Sequence, residues 1–156
     1  MAFLSLSEKN IFINYQNFLI KNKNFSWNAP NTFYKDRDFY LEKINNILIN
    51  KKFIYINGGR HREAFLTPSK NFVIKIPSIY DGINANMSER QIFSYFHGSN
   101  NYYAPCRLIN NFILLMKRVE TNINKNNLPQ WAYNIDAVQV GILPNGKLVA
   151  FDYADN

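Results

Sequence analysis

The run Phe72-Val73-Ile74-Lys75-Ile76-Pro77 sets one lysine inside an otherwise apolar stretch. Its aromatic and β-branched content predicts a strand, closed by the proline. Side chains alternate across a strand, so Val73, Lys75 and Pro77 share one face and Phe72, Ile74 and Ile76 the other. A lysine in such a place must reach water or find an anion. A solvated face and a cleft that takes a phosphorylated ligand both accommodate it, and the strand by itself does not choose between them.

Two further strands precede this one. Phe53-Ile-Tyr-Ile56 ends at Asn57-Gly58-Gly59, a strong turn signal, and Glu63-Ala-Phe-Leu-Thr67 follows before the turn Pro68–Asn71. Three strands with tight connections predict an antiparallel meander. The glycine pair fits an ordinary hairpin turn. It also fits a loop whose backbone closes on a ligand and points amides at phosphate oxygens.

Beyond Pro77 the pattern changes period. Met87 to Phe96 predicts a helix capped at Ser88, with Ile92, Phe93 and Phe96 on its apolar side. Glu89 lies in it, placed to pair with Lys75 or simply to face solvent. Cys106–Ile109 and Phe112–Met116 predict a hairpin across Asn110-Asn111, followed by a polar linker over Thr121–Asn127 and a helical turn over Leu128–Tyr133. Val138–Leu143 and Lys147–Phe151, joined by Pro144-Asn145-Gly146, predict a last hairpin. Asp152 follows it directly, where a carboxylate serves as a metal ligand or as a cap.

Upstream of the meander, Leu4, Ile11, Tyr15, Phe18 and Leu19 have helical spacing and predict a short helix over 7–21 in an otherwise irregular stretch to residue 35. Trp27–Asn31 reads as a loop. Phe39, Leu41, Ile44, Ile47 and Leu48 predict an amphipathic helix over Asp36–Ile49. Residues 1–51 are expected to form a helical extension packed on the core made by residues 52–156.

At 156 residues the chain suffices for one core, and its 47% apolar and 16% aromatic content is that of a folding sequence. It lacks an apolar run long enough for a membrane helix and a basic start typical of a signal peptide. One cysteine, Cys106, excludes an internal disulfide framework and suits a reducing cytoplasm. His61 and His97 stand apart with no Cys/His cluster, so no zinc site is expected. The net charge of +7 comes from scattered Lys and Arg, a weak signal for nucleic acid.

Gly turn, strand, Lys strand, Glu helix, two strands, linker, hairpin and Asp is the layout of the protein-kinase cleft. Residues 52–155 resemble the protein-kinase-like family, including its aminoglycoside-phosphotransferase relatives. The runs Tyr103-Ala-Pro-Cys-Arg-Leu108 and Asp136-Ala-Val-Gln-Val-Gly141, the latter continuing to Asp152-Tyr153, are similar to small kinase-like proteins encoded by bacteriophages. The resemblance implies an α+β fold with a Lys-bearing antiparallel sheet, a following helix and a reduced C-terminal lobe. It implies ATP and magnesium as cofactors. Gly58 and Gly59 would cover phosphates, Lys75 would contact them, and Glu89 would position Lys75. Leu115, Met116 and Lys117 would form the hinge that receives adenine, and Asp152 of Asp-Tyr-Ala would hold magnesium.

Around the catalytic loop the sequence departs from the family. Taking Gln139 as the second metal ligand sets Asp136, the candidate base, two residues too close to it, and Asn134 stands where a base belongs. Gln is neutral and a poorer magnesium ligand than a carboxylate. With the sequence ending at Asn156, no activation segment is expected. The expectation is therefore a kinase-like protein, phage-encoded, that modulates a host bacterial protein in the host cytoplasm. An active phosphotransferase and a pseudokinase-type binding module without nucleotide are the alternatives. A nucleic-acid-binding protein is the least favoured.

Overall fold

The structure is a computed structural model that describes residues 4–25, 29–96 and 102–152. Trp27, His97, Tyr153 and Ala154, all singled out above, lie outside the described residues. Two helices come first. The first, α1 (Leu6–Lys21), starts at a capping box in which the Ser5 side chain accepts from the Glu8 amide and the Glu8 carboxylate accepts from the Ser5 amide. The second, α2 (Asn31–Asn50), begins directly after Pro30 rather than at Asp36, so the stretch before residue 35 is less irregular than expected. Its buried residues are Phe33, Leu41, Ile44 and Leu48. Phe39 is off that stripe and 53% exposed, with the Lys43 ammonium 4.0 Å above its ring.

Strands β1 (Ile54–Gly58), β2 (Arg62–Leu66) and β3 (Phe72–Pro77) form the meander. Helix α3 (Tyr80–Tyr95) follows, then β4 (Cys106–Ile109) and β5 (Ile113–Lys117). These five strands make one antiparallel sheet in the order β1-β2-β3-β5-β4. Asn110 and Asn111 between β4 and β5 both take positive φ, 54° and 52°, as a tight hairpin turn requires. A second sheet pairs β6 (Val140–Ile142) with β7 (Leu148–Ala150) across a turn in which Gly146 has φ 81°.

Helix α3 starts at Tyr80, so Ser88 is an interior residue and not the cap, and Phe96 is exposed rather than part of an apolar side. The early turns escape a periodicity reading because Gly82, Asn84 and Asn86 are weak helix formers. Its buried residues are Gly82, Ile83, Ala85, Asn86 and Glu89, so two of the five are polar.

The sheet separates two cores. Phe65, Ile74, Ile76 and Ile113 pack with Phe12, Tyr15 and Leu19 of α1 and with Ile44 and Leu48 of α2. On the other face Leu114 and Met116 of β5 pack with Ile135, Val140 and Val149 of the C-terminal segment. The alternation Ile113 against Leu114 and Met116 is the period-2 pleat expressed as two cores. The N-terminal helices cover one face. The C-terminal segment covers the β4–β5 part of the other and leaves a cleft over β1–β3.

Candidate functional site

Pairing between β2 and β3 sets Ala64 opposite Lys75 and Leu66 opposite Val73. Alternation then puts Arg62, Ala64, Leu66, Val73 and Lys75 on one face, and all five line a cleft of about 750 Å³. Gly59, Met116, Asp136, Gln139 and Asp152 line the same cleft. Gly58 and Glu89 are outside its lining: Gly58 ends β1 beside Tyr55 and the Glu63 carboxylate, and Glu89 lies behind Lys75.

Lys75, 8% exposed, and Glu89, fully buried, meet from β3 and α3. The Lys75 ammonium donates to both Glu89 carboxylate oxygens at 3.0 Å, to the Phe151 carbonyl at 2.8 Å and to Asp152 Oδ1 at 3.3 Å. Burial pushes the Glu89 carboxyl up from its ordinary value, and the Lys75 and Arg62 charges offset this only in part. At Asp152 burial acts in the same direction, but Lys75 and Arg62 outweigh it and hold the carboxyl below its ordinary value.

Two members of this cluster had no sequence motif. Arg62 donates to Glu89 Oε1 at 2.7 Å, to Asn86 Oδ1 at 3.3 Å and to Asp152 Oδ1. Asn86, fully buried, donates through Nδ2 to the Lys75 carbonyl at 3.1 Å and the Phe112 carbonyl at 2.8 Å. For Asn86 the signal was spacing alone, one helical turn before Glu89; Arg62 gave none until the register of β2 on β3 set Ala64, two residues on, opposite Lys75.

The backbone details refine three expectations. The Gly59 amide donates to the Arg62 carbonyl at 2.8 Å, so it closes its own turn. The bulge between Tyr55 and Asn57 brings Ile56 and Asn57 into the cleft lining. The Lys117 and Arg118 amides donate to the Pro105 carbonyl at 2.7 Å and the Asn71 carbonyl at 3.0 Å. Both are thus committed within the protein, and Val119, Glu120 and Thr121 continue the cleft wall.

Asp136 opens a short 3-10 turn, Asp136–Val138, in which Ala137 and Val138 both have φ 49°. Left-handed backbone at non-glycine residues costs about 1–3 kcal/mol each and collects at functional sites. The Gln139 carbonyl accepts from the Phe151 amide at 3.1 Å, which ties Gln139 to the segment carrying Asp152. Five cations line the cleft, Arg60, Arg62, Lys75, Lys117 and Arg118, against the carboxylates of Glu120, Asp136 and Asp152. Counting Glu89, which pairs with Lys75 and Arg62 from behind the lining, a small excess of positive charge remains, and it suits a polyanionic ligand. Cys106 is buried, its Sγ 3.6 Å from the Glu89 carbonyl.

No protein-family model matches this chain. No curated protein matches it either. Among solved structures it overlaps the streptomycin–ATP–APH(2")-IIa ternary complex, with 14% identity and a TM-score of 0.39, over 59% of this chain and 33% of that one. The chain thus spans about a third of that protein's length, and a likeness so partial bears on neither site nor activity. The chain's own geometry defines a mixed α+β protein built on an antiparallel sheet, with a charged cleft on one face. Among the described residues no helix is long and apolar enough to cross a membrane.

Proposed function

We propose that the cleft binds ATP with its phosphates against Lys75, in a kinase-like protein whose binding role outweighs phosphoryl transfer. The Lys75–Glu89 pair carries this reading. A strand lysine held by a helix glutamate is the arrangement with which protein kinases hold nucleotide phosphates. Here the two groups lie 3.0 Å apart at the cleft wall, with Asp152 on the same ammonium. The cationic lining supports a polyanion, and the bulged β1 and the wall beyond Lys117 supply apolar and backbone surface for a base. Extended by the sequence resemblance, the proposal is a phage-encoded protein that acts on a host bacterial protein in the host cytoplasm.

Calorimetric titration of ATP in magnesium buffer tests the binding. The wild type is expected to bind, and Lys75→Met, checked for folding by circular dichroism, to bind at least roughly tenfold more weakly. A wild type that takes up no ATP overturns the reading and leaves a binding module without nucleotide.

A phosphotransferase is the second reading, favoured by Asp136 facing the same cleft as Asp152. In it Asp136 takes the proton of the accepting hydroxyl. Transfer of labelled γ-phosphate to a co-purified host protein, abolished in Asp136→Asn, would establish it.

A further inference from the structure

Arg62 reaches out of β2 into the centre of the ionic cluster and is only 12% exposed at its side chain. Its guanidinium spans two carboxylates, Glu89 through one nitrogen and Asp152 through the other. Asp152 Oδ1 accepts from Lys75 as well, at 3.3 Å, so one carboxylate oxygen answers two fixed cations. Magnesium demands near-octahedral oxygen ligands and is held by carboxylates together with phosphates. The residues that the family layout assigns to it are this doubly paired Asp152 and the neutral Gln139. Two fixed cations already neutralise the one carboxylate of that set, so it disfavours a further dication. Moving Arg62 aside would also strip the buried Glu89 of one of its two cations, a costly step in a low-dielectric site.

We infer that Arg62 serves as the built-in counter-cation of this cleft, so that a nucleoside triphosphate binds here without a divalent metal. The inference rests on the nucleotide reading above and adds to it the source of the positive charge. A guanidinium has five N–H donors in a planar fork, enough to hold both carboxylates and Asn86 and still meet phosphate oxygens. Arg60, Lys117 and Arg118 add further positive charge along the same cleft.

The test compares ATP affinity of the unaltered protein in magnesium and in excess EDTA, by calorimetry. Affinity in EDTA within about threefold of that in magnesium, a difference under 1 kcal/mol, is expected. Binding that appears only with magnesium overturns this inference and leaves the nucleotide reading intact. Binding in neither condition overturns both. In Arg62→Met the expected result is at least roughly tenfold weaker binding in EDTA, with recovery on adding magnesium, because Asp152 then loses its guanidinium. Unchanged affinity of that variant in EDTA would also overturn the role of Arg62. The wild-type comparison decides the matter even if the variant does not fold.

Discussion

Glu89 has no exposed surface, yet it is a carboxylate, and its environment explains how it is tolerated. Lys75 donates to both of its oxygens and Arg62 to one, so each buried charge has a fixed partner. Removing one partner of such a pair costs about 3–5 kcal/mol, because the other charge stays buried. Glu89→Gln is expected near the low end, about 3 kcal/mol, since Phe151 and Asp152 still accept from Lys75. Urea unfolding measures this. A loss below about 1 kcal/mol would place Glu89 among ordinary surface pairs. The double replacement Lys75→Met with Glu89→Leu should cost less than the two single losses added, because neither charge is then left alone. At this scale Lys75 was conspicuous in the sequence as a charge in an apolar strand. Arg62 was not, because an arginine beside a turn reads as solvated until its strand register is known.

Among the elements, α3 was the least legible, and it supplies the buried Asn86 and Glu89 that hold Lys75 and Arg62 in place. Its inward face carries Asn86 and Glu89, so apolar periodicity finds only its second half. The glycine near its start has a packing reason. A Cβ on Gly82 would overlap the His61 carbonyl oxygen and press on Pro77. Gly to Ala inside a helix ordinarily stabilises by roughly 0.5–1 kcal/mol. Here Gly82→Ala is expected to destabilise by about 1–3 kcal/mol, the range for overpacking. Thermal unfolding decides between the two signs, and a raised melting temperature would show that α3 can shift from the β2–β3 corner. The strands were far more legible. Alternation in Phe72–Pro77 assigned Val73 and Lys75 to one face, and that face lines the cleft. The Asn-Asn and Asn-Gly turns marked both later hairpins because only a few residues accept positive φ.

For the molecule as a whole, the N-terminal helices hold the sheet from behind the cleft. Tyr15 is fully buried, stacks edge-on against Phe112 and donates its hydroxyl to the Pro77 carbonyl at 2.9 Å, joining α1 to the end of β3. Burial pushes its phenol well above the ordinary value of 10.0. A folded-state value raised in this way contributes stability that is complete below pH 10.0 and is lost as pH rises beyond it, since only the unfolded chain then ionises. Tyr15→Phe should therefore lower stability at neutral pH by about 1–3 kcal/mol, leaving the Pro77 carbonyl without its donor, and flatten the decline above pH 10. Denaturant melts at neutral and alkaline pH measure both effects. A variant that declines as steeply as the wild type would assign the alkaline loss to other groups.

Sequence alone determined the order of elements from the meander to the last hairpin, the two-faced β3 strand and the oddity of Lys75. Those features are local: they follow from side-chain alternation, from turn residues that accept positive φ, and from the cost of a charge in an apolar run. Only the tertiary structure decided that Arg62, Asn86, Glu89 and Asp152 converge on that lysine. The reason is physical. Arg62 and Asp152 are 90 residues apart, and what brings them within one hydrogen bond is strand register and the packing of α3 and the C-terminal segment on the sheet, which no local pattern encodes.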